Sequence, residues 1–145
     1  MRTVPPSTLL NLDELARRYG EAWNTQDLDA IMSFHTEDGV YHLHGAADPV
    51  KGHAAIRESF AGVFALLPNV AFREQELLLA DWGWVSRSAM TGTLGAPFAF
   101  ATAVVEPGRA IAVDAVDVIR VADGLITSKH TYVDWLAALT QLGLA

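Results

Sequence analysis

Asp117 sits in an unusual place for an acid, inside the β-rich run Ile111 to Ile119, IAVDAVDVI. Alternation along a strand puts Val113, Ala115, Asp117 and Ile119 on one face, and Ala112, Asp114, Val116 and Val118 on the other. A carboxylate among apolar neighbours must find a partner or change its hold on the proton, so Asp117 is the leading candidate for a general base or acid. Its competing role is structural, paired with Arg87, Arg109 or a backbone amide. The second group is Tyr41-His42-Leu43-His44, where alternation separates Tyr41 and Leu43 from His42 and His44. Inward histidines would do acid–base work or bind a metal, and an inward Tyr41 would hold a water or an oxyanion. One residue of register reverses the choice. A lone His-x-His is a weak metal signal without a helical pair, so no metal site is expected. Arg87, in the run Trp84 to Met90, could pair with Asp117 across the sheet as a site or as a buried bridge. His130 and Lys129 lie on the last strand, with Lys129 on the face of Thr131.

These residues need strands to hold them. Two β-rich runs flank Ala122-Asp123-Gly124, which predicts a hairpin with a tight Asp-Gly turn. Before it, a meander is expected over Val70–Leu79, Gly83–Thr93 and Phe98–Val105, with a short strand over Val40–His44. The first part of the chain is helical. Residues 1–11 read as a flexible arm, and Asn11 or Asp13 would cap a helix beginning near Leu12 with Leu12, Leu15, Tyr19, Ala22 and Trp23 on one stripe. Asp27 caps a second helix over Leu28–Phe34. A third runs from Ala54 to about Leu66, with Ile56, Phe60, Val63 and Phe64 on its buried side and Pro68-Asn69 at its end. Helices first and strands last predict an α+β fold with a mostly antiparallel sheet.

The chain has 145 residues, enough for one domain with a sizeable core or an enclosed pocket. A net charge of −7 argues against nucleic acid and anionic membrane as partners. Without cysteine there are no disulfides, thiolate zinc sites or cysteine nucleophiles. No apolar run approaches the roughly 18 residues of a membrane span. Prolines interrupt the opening MRTVPPSTLLN where a signal peptide needs an apolar core. A soluble, cytoplasmic protein is expected. No phosphate-binding Gly-rich loop, Gly-x-Ser-x-Gly elbow or zinc-finger spacing occurs.

The run V-D-V-I-R-V-A-D-G-L-I-T leads to H-T-Y-V-D-W and a short helix ending Gln141-Leu142-Gly143-Leu144. Upstream stand Trp-Asn-x-x-Asp-Leu-Asp-Ala from Trp23, Thr36-Glu37-Asp38-Gly39-Val40-Tyr41, and Gly52-x-x-x-Ile56-Arg57. Together these motifs resemble the SnoaL-like polyketide cyclases of the nuclear-transport-factor-2-like superfamily, relatives of ketosteroid isomerase, scytalone dehydratase and limonene epoxide hydrolase. The resemblance implies a single domain over residues 1–145: a cone-shaped, curved, mostly antiparallel sheet packed on three N-terminal helices around a hydrophobic pocket. It also implies a homodimer formed through the outer sheet surface. The implied activity is cofactor-independent proton transfer on a hydrophobic carbonyl or polyketide-like compound, giving cyclisation, isomerisation or dehydration. Asp117 would move the proton, and Tyr41, His42 or Arg87 would stabilise the developing oxyanion. Trp23, His44, Phe60, Trp84 and Thr131 would bind the substrate. The pattern departs from the family at two places. Polyketide cyclases of this group pair an inward histidine with an aspartate on the next strand, and here Asp117 and Thr131 take those positions. Limonene epoxide hydrolases set an arginine between two aspartates, and here Ala89 and Thr131 flank Arg87. The absent acid at Thr131 keeps a non-catalytic ligand-binding or dimeric accessory protein as the alternative, with a hydratase or dehydratase built on the histidines as a third reading.

Overall fold

The computed structural model describes residues 3–145, and its first element is helix α1, Pro6–Asn24. This helix begins well before Leu12. Pro6 occupies the first turn, where its fixed φ suits the helix and its missing N–H costs nothing. Residues 6–11 are therefore helical rather than an arm, and Asn11 and Asp13 lie inside the helix instead of capping it. Residues 1 and 2 of the expected arm fall outside the described residues. Leu12, Ala16, Tyr19, Ala22 and Trp23 form the buried stripe. Helix α2, Leu28–Ser33, is capped by Asp27, whose Oδ1 accepts from Ala30 N at 3.0 Å. Helix α3 spans His53–Leu66 and buries Ile56 and Phe60.

Strand β1, His35–His44, starts five residues earlier than its apolar pattern suggested, and β2 is the pair Val50–Lys51. Strands β3, Ala71–Ala80, and β4, Gly83–Thr93, form the expected meander. The run Phe98–Val105 does not continue it. It breaks at Ala101, whose φ is 53°, into β5, Phe98–Phe100, and β6, Ala103–Val105, which pair only with each other. Strands β7, Ala110–Ala122, and β8, Leu125–Val133, make the predicted hairpin. Asp123 (φ 52°) and Gly124 (φ 76°) supply the two positive-φ residues of a turn whose twist matches that of the strands. Helix α4, Trp135–Gln141, is capped by Asp134 and is the short C-terminal helix expected before Leu142-Gly143-Leu144.

The main sheet runs β2-β1-β8-β7-β4-β3 and is antiparallel except where β1 and β8 pair in parallel. That one parallel contact places the first strand beside the last. Irregularities at Glu74/Glu76 and at Arg120/Val121 bend the sheet. Beneath its concave face lie two apolar clusters. Trp23, Ile31, Ile56, Phe60, Trp84 and Ile119 belong to the one under α1–α3, and Val70, Ile111, Val113, Ala138 and Leu142 to the one closed by α4. No helix among the described residues is long and apolar enough to cross a membrane.

Candidate functional site

A cavity of about 490 Å³ opens between α1 and the concave face of the sheet, a size suited to a small organic ligand. Tyr19, Trp23 and Asn24 form its helical wall, and Trp84, Ser86, Ser88, Asp117, Ile119 and Lys129 come from three neighbouring strands. Strand register explains the grouping. Asp117 pairs with Ser86 on one side and Thr131 on the other, and Lys129 pairs with Ile119 and Tyr41. Asp117 is half-buried, and Thr131 Oγ1 donates to its Oδ1 at 2.5 Å. This is the only hydrogen bond of its carboxylate among the described residues, and none of the cations described there forms an ion pair with it.

Lys129, which strand alternation put on the face of Thr131 without a role, lies inside. Its side chain is 5% exposed and has no ion pair among the described residues. Nζ donates to Tyr19 Oη at 3.2 Å and stands 4.3 Å from the Trp23 ring centre, 5.0 Å from that of Tyr19 and 5.2 Å from that of Phe60. Aromatic faces attract a cation but do not neutralise it. Tyr19 Oη lies 2.9 Å from His35 Nε2. The direction of this bond follows the His35 tautomer, and a proton donated by Oη to Nε2 goes with a neutral imidazole protonated at Nδ1. Burial, with the nearby charge of Lys129 and with His53, holds His35 down to about 3, in keeping with that form. Burial raises Tyr19 well above the ordinary phenol value and pushes Tyr41 up to about 12, so both remain phenols. Trp23 Nε1 is a buried donor with no hydrogen bond of ordinary geometry among the described residues, and its influence on Tyr19 is to lower the phenol against the larger effect of burial.

The remaining sequence candidates divide by face. Trp23 and Trp84 line the cavity with Asp117. Thr131 stands behind, holding the Asp117 carboxylate. Tyr41, 7% exposed, packs at 4.8 Å on the fully buried Phe60, which supports Trp23 from beneath at the same centroid distance. His42, His44 and Arg87 lie on the opposite face, since each differs by one residue from an inward neighbour. Arg87 is exposed and bonds Gln75 Oε1 at 2.7 Å and Glu76 Oε1 at 3.5 Å, so the expected bridge to Asp117 is not formed. His44 Nε2 and His130 Nδ1 are 2.8 Å apart, and burial together with His42 and His130 lowers His44 from the usual imidazole value. His35 escaped the sequence reading because the strand was taken to start at Val40. Tyr19 was counted only in the apolar stripe. The inward parity of Lys129 with Thr131 was the available signal for the cation.

The family model described as SnoaL-like polyketide cyclase matches residues 13–142. A candidate SnoaL-like polyketide cyclase from Jannaschia sp. CCS1 superposes with a TM-score of 0.84 at 21% identity, covering 100% of this chain and 99% of that one. IdmH, a candidate polyketide cyclase from Streptomyces antibioticus, gives 0.75 at 24% identity over 91% and 98% of the two chains. AclR, a candidate hydroxylase from Streptomyces galilaeus, gives 0.79 at 20% identity over 94% and 98%. At these identities the likeness is one of fold. No curated protein matches the chain.

Proposed function

The chain belongs to the SnoaL-like polyketide cyclase family, and from that premise we propose that its cavity performs cofactor-independent proton transfer on a hydrophobic carbonyl compound of polyketide type. The observation that carries this reading is the buried Lys129 ammonium, without a carboxylate partner among the described residues, in the same cavity as Asp117. A buried cation is costly unless something anionic meets it. An oxyanion that forms during the reaction is such a partner, and only then is the interaction strongest.

In this mechanism the free carboxylate oxygen of Asp117 removes a proton from the carbon next to a carbonyl. The C–H electron pair moves into a C–C double bond, and the carbonyl π pair moves to oxygen. Lys129 Nζ holds the resulting enolate oxygen. Returning the proton to a different carbon gives isomerisation. Attack of the enolate carbon on a second carbonyl of the same chain gives ring closure, with the Asp117 proton passing to the new alkoxide. Thr131 orients the carboxylate from behind. His42 and Arg87 face away from the cavity and take no part, and the same placement leaves a dehydratase built on His42 and His44 without support.

The test is deuterium wash-in from D2O at the acidic carbon of an aryl 1,3-diketone. Asp117→Asn should slow exchange by about 10²–10⁴-fold, the usual worth of a positioned base, with an unchanged circular dichroism spectrum. Exchange indifferent to that substitution sinks the reading. The hydrogen bond from Thr131 to Asp117 favours one rival, a ligand-binding protein whose acid is structural. That rival predicts ligand binding with no exchange above solvent.

A further inference from the structure

His42, His44 and His130 lie outside the cavity, on the outer face of the sheet, and their rings converge. The parallel ladder sets His42 directly beside His130, and His44 follows two residues on, on the same face. One ring nitrogen from each lies within 4.8 Å of the other two. We propose that these three histidines form a binding site for a late first-row divalent cation, with Zn2+ as its natural probe.

The donor set defines the ion. Three imidazoles with no carboxylate among them suit Zn2+, Ni2+ or Cu2+ and offer nothing to Mg2+ or Ca2+, which take oxygen ligands. Three histidines leave the fourth position of a tetrahedral ion to water, and all three rings are half-buried, so water reaches them. Zinc–nitrogen bonds of about 2.0–2.1 Å place tetrahedral ligands roughly 3.4 Å apart. The His44–His130 pair, now at 2.8 Å, would open by roughly half an ångström, within the reach of small side-chain rotations.

The rings are held ready. The His44 ring stacks on Tyr132 with centroids 4.1 Å apart and planes at 10°, and packs against His42 at 3.6 Å. Trp135 Nε1 donates to the His44 carbonyl at 2.6 Å and fixes the end of the strand. A hydrogen-bonded histidine pair explains only part of this, because the His42 ring shows no hydrogen bond among the described residues. A shared cation gives all three nitrogens one partner. The ion would clip β1 to β8, the two strands whose inward residues include Tyr41, Lys129 and Thr131.

Titration calorimetry of ZnCl2 into tag-free, chelator-treated protein tests the site. Saturable binding of one ion per chain is expected, and His130→Ala should weaken it by about 100-fold or more, at or beyond the usual effect of losing a supporting group. His53→Ala, which removes an α3 histidine bonded to the Met32 carbonyl of α2, should leave it unchanged. Absence of saturable binding, or an affinity indifferent to His130→Ala, overturns the proposal. If the variant does not fold, the visible spectrum of the unaltered protein with Co2+ decides. Intense tetrahedral bands support the site, and a weak octahedral spectrum refutes it.

Discussion

At the residue scale, parity on a strand decides which side chains meet the ligand, and Lys129 is the clearest instance. Its Nζ has aromatic faces and one phenol oxygen where a salt bridge would ordinarily be. Replacing a buried charge by a well-packed apolar residue of similar shape is often neutral or stabilising. Lys129→Met should therefore keep or raise the melting temperature while lowering both ligand affinity and exchange rate by at least 10-fold. A melt and a binding isotherm on the same sample separate the two effects. His35 makes a second prediction. The unfolded chain takes up the imidazole proton near the ordinary value of 6.5, but the folded chain only near 3. Stability is complete above about pH 6.5 and falls as the pH drops towards 3, by up to about 1.4 kcal/mol per unit within that window. His35→Gln should show a shallower decline in urea melts between pH 6 and pH 4, and an equal slope would remove His35 from the account.

At the element scale, the glycines show where strands press together. Gly83 opens β4 at φ 147°, and a Cβ there would stand 2.0 Å from the Ile119 carbonyl oxygen of β7. The neighbour is backbone and cannot step aside. Gly83→Ala is expected to abolish soluble folding or cost more than about 4 kcal/mol, the exceptional range for one substitution. Gly62 is the contrast, since it lies inside α3 with nothing within 4 Å of an added Cβ. Gly62→Ala should stabilise the chain by about 0.5–1 kcal/mol through helix propensity, measurable as a higher urea midpoint. The same scale shows what local pattern can and cannot convey. Asp27 and the Asp123-Gly124 turn were legible because their chemistry is local. The pairing of β5 with β6 was not, because alternation identifies strands and says nothing of their partners.

At the scale of the whole molecule, the outer face of the sheet carries the exposed Leu78 and Tyr132 beside the half-buried Val116 and Val118. We keep the homodimer through this face as a proposal. Light scattering at micromolar concentration should give twice the chain mass, with Tyr132→Lys shifting it towards the monomer, and a monomeric mass in the unaltered protein would end the idea. The sequence by itself determined the α+β class, the family motifs, the hairpin and the grouping of Val113, Ala115, Asp117 and Ile119 on one face of β7. Those follow from short-range periodicity and turn chemistry, which the chain carries residue by residue. Only the tertiary structure decided the site. The parallel pairing of β1 with β8 brings Tyr41 beside Lys129 and, on the other face, His42 beside His130. α1 lays Tyr19 between Lys129 and His35, residues separated by most of the chain. The register of β4 on β7 sets Ser86 opposite Asp117 and turns Arg87 to the other face. Such neighbours arise from sheet order and helix packing, which no run of adjacent residues specifies.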